Sequence, residues 1–346
     1  MSDSLGVFAM KEAMFYERLD AGRVRCGLCR FHCLIDPGKR GHCLVRENRD
    51  GTLCSLVYGR AVAEQVDPIE KKPLFHLLPG SRTYSVATVG CNFRCQHCQN
   101  FSISQPEPTR IENSGSYLPP DAIVERALSA GGGSIAYTYT EPTIFFEYAY
   151  ETAKLAHAAG LKNIFVTNGY ITNEALATIA PYLDAANIDL KGFTREFYRD
   201  VVGADLDQVL ECIREYHRLG IWLEITTLII PHHNDSEAQL RGIAEFIVNE
   251  IGPQTPWHVS QFYPTFQLTD EPRTPVGTLR AARRIGQEAG LRYVYEGNVP
   301  GEGGENTVCP SCGGLLIRRY GYLIEKNLLQ RGKCPGCGSQ IEGIWE

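Results

Sequence analysis

Gly90-Cys91-Asn92-Phe93-Arg94-Cys95-Gln96-His97-Cys98-Gln99 places three cysteines at i, i+4 and i+7. The run follows Tyr84-Ser85-Val86-Ala87-Thr88-Val89, an apolar stretch that reads as a buried strand. Gly90 then frees the backbone to turn. Iron–sulfur cubanes are held by cysteine thiolates, usually four. Three close thiolates leave one iron open to another ligand. Two plainer readings compete: a helix with one cysteine-lined face, and a zinc site with a distant fourth ligand. No helix start signal precedes the run, and Gly90 and Asn92 favour a loop.

Outward from this loop, over residues 81–300, strand and helix patterns alternate, which implies parallel strands joined by crossover helices. Strands are expected at 82–89, 134–140, 163–168, 184–190, 221–230 and 256–262, with a last one at 292–296. Helices are expected at 120–130, 143–159, 172–181, 206–219, 236–250 and 276–289. No Gly-x-Gly-x-x-Gly follows the first strand, so dinucleotide binding has little support. Six β/α units point to an α/β fold, a partial (β/α)6 TIM-like barrel, with chemistry at the C-terminal strand ends. Cys91 stands at that mouth.

The other strand ends are polar. Period-two alternation puts Tyr137, Tyr139 and Glu141 on one face, with Thr140 beside them and Pro142 ending the ladder. Asn187, Asp189 and Lys191 share a face, while Ile188 and Leu190 share the other. The apolar face packs on helices, so Asp189 and Lys191 point into the lumen as a candidate ligand site. Strand 163–168 ends Thr167-Asn168-Gly169. Glu224 and Thr226 share a face, as do His258 and Ser260.

Thirteen cysteines in 346 residues is a high count for a chain read as cytoplasmic, and the spacing says why. Short x2 and x3 spacings mark metal sites rather than disulfide frameworks. Residues 1–80 hold Cys26, Cys29, Cys33 and Cys43, with His32 and His42 nearby; zinc and an auxiliary iron–sulfur cluster fit equally well. Thr52–Tyr58 reads as a strand hairpinned through Asn48-Arg49-Asp50-Gly51, with Cys54 as filling. Residues 60–80 have no period and read as an ordered connector that docks on the next domain. Residues 301–346 carry Cys309-x2-Cys312 and Cys334-x2-Cys337, a zinc-ribbon-like signal. A module this short needs its metal to fold.

The net charge of −6 argues against a general nucleic-acid binder. No run of eighteen apolar residues exists. Met1-Ser2-Asp3-Ser4-Leu5 lacks a signal-peptide pattern, which gives a cytoplasmic expectation.

Cys91-x3-Cys95-x2-Cys98 resembles the cluster motif of radical S-adenosylmethionine (SAM) enzymes. The stretch from Asp67-Pro68-Ile69-Glu70-Lys71-Lys72-Pro73 through Gly90-Cys91-Asn92-Phe93 to Gln99-Asn100 resembles the radical SAM member of the AmmeMemoRadiSam system, a relative of pyruvate formate-lyase activating enzymes. The resemblance implies a 4Fe–4S cluster on Cys91, Cys95 and Cys98, and SAM chelating its open iron. A 5′-deoxyadenosyl radical would then take hydrogen from a substrate. It implies that Thr140 and Glu141 address the SAM amino group, in place of a glycine–glycine–glutamate motif. Asp189-Leu190-Lys191 is similar to the Asp-Leu-Lys of activating enzymes, whose Lys meets the SAM carboxylate. Thr167, Asn168 and His258 are implied on the ribose side, and Phe93 and His97 near the adenine. It also implies a flavodoxin or ferredoxin as electron donor, a protein or peptide substrate, and partner proteins of that system. A glycyl radical enzyme activase would use the same chemistry. The rival from another class is a non-enzymatic zinc-binding adaptor.

Overall fold

Alternating apolar strands and amphipathic helices build one eight-stranded sheet in a computed structural model that describes residues 10–346. Met1–Leu5 lie outside the described residues. The strands are β1 (Ala63–Pro68), β2 (Arg82–Ala87), β3 (Ser134–Tyr137), β4 (Lys162–Thr167), β5 (Ala185–Asp189), β6 (Trp222–Ile229), β7 (Trp257–Gln261) and β8 (Val294–Gly297). They lie in the order β8-β7-β6-β5-β4-β3-β2-β1. Neighbours from β2 to β8 are parallel, and β1 is antiparallel to β2. Sequential order is what short, same-handed crossovers produce. The crossovers are α1 (Pro120–Ser129), α2 (Phe146–Ala158), α3 (Asn173–Ile179), α4 (Leu206–Arg218), α5 (Glu237–Phe246) and α6 (Val276–Ala289).

Local chemistry explains these helices. Asp205 caps α4 by accepting from Gln208 N, and α4 buries Leu206, Val209, Ile213 and Tyr216 along one stripe. Ser236 caps α5 through Gln239 N. Cys212 fills the α4 core and Cys54 fills a short strand.

One expected face is corrected. Tyr137 packs in the main apolar core, edge-on to Phe165, with its hydroxyl 3.1 Å from Asn163 Oδ1. The ladder ends there, because Tyr139 takes φ 64° and breaks the alternation. Tyr139 instead donates its hydroxyl to Asp67.

The connector docks on the sheet as expected, as a strap that covers it, and it also contains a strand not expected from the sequence, β1. Ile69, Leu74 and Leu77 pack on Ala136, Ile164 and Ala185. Their strand neighbours Ile135, Phe165 and Ala186 belong to the main core with the helices. Helices and strap therefore take opposite faces. Glu224 fastens the strap by accepting from Phe75 N (2.9 Å), His76 N (2.8 Å) and His258 Nε2 (2.7 Å). Burial lowers His76 to about 4, so its ring is neutral and Nδ1 donates to Glu342 O at 2.6 Å. Arg319 Nη2 donates to Phe75 O at 2.9 Å. The C-terminal strands Thr307–Val308, Leu315–Tyr320 and Leu323–Asn327 are thereby tied to the same strap.

Two small antiparallel sheets make the N-terminal part. Arg46–Arg49 pairs with Thr52–Ser55 across Asp50 (φ 52°) and Gly51 (φ 85°), the two left-handed residues that a tight hairpin turn requires. Arg30 Nε donates to Ile171 O at 3.0 Å and Thr172 Oγ1 to Gly27 O at 2.8 Å, which docks this part beside the end of β4. Among the described residues no helix is long and apolar enough to cross a membrane.

Asp67 is the strap's other anchor. It accepts from Lys72 Nζ at 2.7 Å, Lys71 Nζ at 2.9 Å and Ser85 Oγ at 2.8 Å. Burial pushes its carboxyl up, but the hydrogen bonds from Lys71, Lys72 and Tyr139 outweigh burial and hold it well below the ordinary carboxylate range. Asp67→Asn is expected to cost about 3 kcal/mol at neutral pH, because it strands the buried Lys72. Burial lowers Lys72 to about 8. The cost should therefore shrink as pH rises through that value and the lysine loses its proton. Denaturant midpoints of both proteins across that range check this.

Candidate active site

The cysteine loop leaves β2 through Gly90, whose φ is 99°. A Cβ there would stand 2.6 Å from Val45 Cγ1, so glycine is the residue that fits. Backbone bonds then pin the loop: Gly90 N to Ile103 O (2.8 Å), Arg94 N to Val202 O (3.0 Å) and Gln96 N to Val201 O (3.0 Å). Arg94 also donates Nη1 to Cys91 O at 2.8 Å and Nη2 to His42 O. Phe93 N points at Cys91 Sγ (3.4 Å), and Ser104 Oγ lies 3.0 Å from Cys98 Sγ. The Phe93 N–H aimed at the Cys91 sulfur suits a thiolate. Burial, reinforced by Glu141, raises Cys91 well above the ordinary thiol range. Burial also raises Cys95 to about 11 against the pull of Lys191. Buried thiols of this kind ionise when a metal takes the proton's place.

Glu141, at the end of β3, is 1% exposed and fully engaged. Oε1 accepts from Thr143 N (3.0 Å), Thr143 Oγ1 (2.6 Å) and Thr167 Oγ1 (2.8 Å); Oε2 accepts from Asn168 N (2.8 Å). Burial raises its carboxyl in spite of these donors. Asn168 Nδ2 in turn donates to Asn92 Oδ1 at 2.8 Å and lies 3.8 Å from Cys91 Sγ. Thr140 Oγ1 donates to Thr88 O at 2.9 Å, and Asn100 Nδ2 to Tyr139 O at 2.7 Å. The ends of β2, β3 and β4 thus converge on the cysteine loop.

Lys191 follows β5 with Nζ 2.8 Å from Asp189 Oδ2, and its N–H donates to the Tyr198 hydroxyl at 3.0 Å. Burial pulls Lys191 down, but Asp189 and Cys95 outweigh it and hold the ammonium well above its ordinary value. His97 is buried, stacked on Phe197 at 6.2 Å, and lowered to about 3 by burial and then by Lys191. Phe93 packs against Tyr170 at 5.1 Å.

His258 is not brought to this group. Its Nε2 is taken by Glu224, and its ring packs on Phe75 and Tyr295 beneath the strap. Asn92, Asn100 and Tyr198 are the residues that sequence reasoning passed over as ligand-loop supports. Asn92 reads only as a loop signal inside the motif, and Asn100 only as the end of the stretch that carries the resemblance.

The other two cysteine sets differ in geometry. The sulfurs of Cys309, Cys312, Cys334 and Cys337 all lie within 4.8 Å of one another, with Cys309–Cys337 at 3.6 Å and Cys312–Cys334 at 3.7 Å. Four sulfurs about 2.3 Å from one tetrahedral ion stand roughly 3.8 Å apart, so this set suits a single ion. Cys26, Cys29, Cys33 and Cys43 instead line a common cavity.

Residues 85–247 match the radical SAM superfamily. A protein of Methanocaldococcus jannaschii, itself uncharacterised, is 47% identical over 335 residues, 96% of this chain and 99% of that one. The chain belongs to the radical SAM superfamily. Its radical SAM region is also similar to the pyruvate formate-lyase-activating enzyme of Clostridium pasteurianum, 23% identical over 177 residues, 49% of this chain and 71% of that one. Among solved structures, Streptococcus suis SuiB bound to its precursor peptide SuiA has TM-score 0.50 and 16% identity, over 66% of this chain and 51% of that one. That likeness speaks to the fold alone.

A radical SAM enzyme needs a 4Fe–4S cluster and SAM, and the residues present fit both. Three buried polar atoms around the cysteine loop lack a protein partner: Asn92 Nδ2, Asn168 Oδ1 and His97 Nδ1. Buried polar atoms are ordinarily satisfied, so these point to a polar ligand. Removing Glu141 would add four stranded donor contacts to them. Glu141→Ala is expected to lower stability by on the order of 3 kcal/mol and to reduce the iron retained after anaerobic gel filtration, measured by metal analysis.

Proposed function

We propose that this radical SAM enzyme acts on a protein or peptide substrate and is the radical SAM member of the AmmeMemoRadiSam system, working with that system's partner proteins in the cytoplasm. The observation that carries the site assignment is the ring of unpartnered buried atoms, Asn92 Nδ2, Asn168 Oδ1 and His97 Nδ1, beside Cys91, Cys95 and Cys98. When bound, the cluster and SAM supply a 5′-deoxyadenosyl radical through one-electron cleavage of the sulfonium–C5′ bond.

The chain's own residues prepare for that. Cys91, Cys95 and Cys98 hold the cluster. Lys191 holds a positive charge for the SAM carboxylate, and Asp189 fixes its position. Asn92, Asn168 and His97 offer hydrogen bonds to SAM's polar edges, with Phe93 and Tyr170 packed behind. Glu141, Thr140 and Thr167 orient the backbone around SAM, because their own polar atoms are spent on protein. A flavodoxin or ferredoxin supplies the electron. The sequential, mostly parallel sheet supports a partial barrel with this site at its mouth.

Substrate access fits a cleft of about 400 Å³ between the end of β8 and the C-terminal strands. Gln99, next to Cys98, lines it, with Tyr263, Glu296, Glu305 and Tyr322. The cleft therefore opens onto the cluster loop, and half-exposed tyrosines suit an extended peptide. Activation of a glycyl radical enzyme is the same reading with a glycine as the target. Zinc fits the C-terminal quartet by ligand set and spacing.

Reconstituted protein should convert SAM to 5′-deoxyadenosine under strong one-electron reductant, and Cys95→Ala should make none; product formation by that variant would sink the assignment. Lys191→Met should keep the cluster and weaken SAM binding roughly tenfold, the loss of a charge-assisted contact, as read by anaerobic calorimetry. Cys309→Ser should lose one zinc per chain while the iron content stays unchanged.

A further inference from the structure

We propose that Cys26, Cys29, Cys33 and Cys43 hold a polynuclear iron–sulfur cluster rather than a zinc ion, with Arg46 as its buried hydrogen-bond donor. Spacing along the chain leaves both metals open; the openness of the sulfur set separates them, and two further observations describe the seat.

First, the molecule contains its own comparison. The C-terminal quartet gathers all four sulfurs within 4.8 Å of one another, and it is the one such group of three or more ligand atoms among the described residues. The N-terminal sulfurs line a cavity, and neither they nor Cys91, Cys95 and Cys98 include three sulfurs within that distance of one another. Iron and inorganic sulfide stand between the thiolates of a multi-iron cluster, so its ligand sulfurs are wider apart than those around one ion. Both sets are more open than the C-terminal one.

Second, the cavity contains an unfinished charged group. Its lining includes the four cysteines, Ile144 and Arg46. Arg46 is 1% exposed. One edge of its guanidinium is used: Nη2 donates to Met14 O at 2.6 Å and to Glu147 Oε1 at 2.8 Å. Its Nε and Nη1 are buried without a partner. A buried guanidinium with two unmade hydrogen bonds is costly. Cluster sulfides and thiolates are acceptors for these two groups, while Glu147 already balances the charge.

Third, the seat is joined to the catalytic loop. A Cβ at Gly90, the residue before Cys91, would lie 3.2 Å from Cys43 O and 3.5 Å from Ile144 Cδ1. Arg94, between Cys91 and Cys95, donates to His42 O. Phe31, Tyr170 and Phe93 form a run of ring contacts at 4.9 and 5.1 Å from the N-terminal loop to the cluster loop. One packed layer separates the two sets of thiols.

The test is metal and sulfide analysis of the full chain, reconstituted anaerobically with iron, sulfide and zinc. Wild type and the Cys91→Ala/Cys95→Ala/Cys98→Ala variant are compared. The proposal expects about eight irons in the wild type and about four in the triple variant. The triple variant should then give an electron paramagnetic resonance signal, on reduction, that SAM does not alter. Four irons in the wild type, none in the triple variant and two zinc ions in each would overturn the proposal and leave the catalytic site standing. Four irons in both would uphold this cluster and instead overturn the assignment at Cys91. Arg46→Gln in the triple background should keep the iron and lower the midpoint potential; an unchanged potential would overturn the role given to Arg46.

Discussion

The carboxylate of Glu141 is the joint on which the active end of this protein depends. It takes two hydroxyls and two backbone N–H groups from Thr143, Thr167 and Asn168. Thr143 follows β3, while Thr167 ends β4 and Asn168 follows it, so a single buried charge fixes the ends of β3 and β4 relative to each other. Asn168 carries the restraint one step further, to Asn92 and the Cys91 sulfur. A cluster held, as proposed, by only three cysteines must be positioned by its loop, and this loop has almost no regular structure of its own. The rigidity comes from the neighbouring strand ends, relayed through buried hydrogen bonds whose worth rises in low dielectric.

The opposite end of the sheet uses the same device for a different purpose. Glu224 and Asp67 are both buried acceptors, and each holds a stretch of the 69–78 strap on the face that the helices leave uncovered. His76 and Arg319 then fasten the C-terminal part to that strap. The chain therefore closes its sheet with a segment that has no helical or strand period. Polar groups do what an apolar pattern could not, because they bond to backbone and so fix register as well as contact. His258 is explained by this arrangement. It faces the covered interior, as alternation expects, but Glu224 takes its donor and the strap stands over it.

Much of the sheet was legible because β2 to β8 and α1 to α6 follow simple periods and ordinary capping rules. The cysteine loop was legible for a different reason: spacing of metal-binding residues is a local property. What escaped was non-local. Tyr139 carries no signal that it takes a left-handed conformation, so the face shared by Tyr137, Tyr139 and Glu141 dissolved at that residue. Asp67-Pro68-Ile69-Glu70-Lys71-Lys72-Pro73 reads as charged connector, yet Lys72 and Asp67 are buried as a pair. Their partners Ser85 and Tyr139 lie 18 and 72 residues beyond Asp67. Glu141 is marked for the SAM amino group by the resemblance alone; the donors that make it a structural joint come from residues whose proximity only the fold supplies.

The loop from Cys91 to Cys98 is proposed to present a cluster with one iron open to SAM, inside a shell of polar atoms that the protein leaves unpartnered. Electron paramagnetic resonance of the reduced, reconstituted protein tests it most directly, recorded with and without SAM. A four-iron signal that changes shape when SAM is added, and that disappears with Cys91, Cys95 and Cys98 replaced, is the predicted result. A signal that SAM leaves untouched would contradict the account.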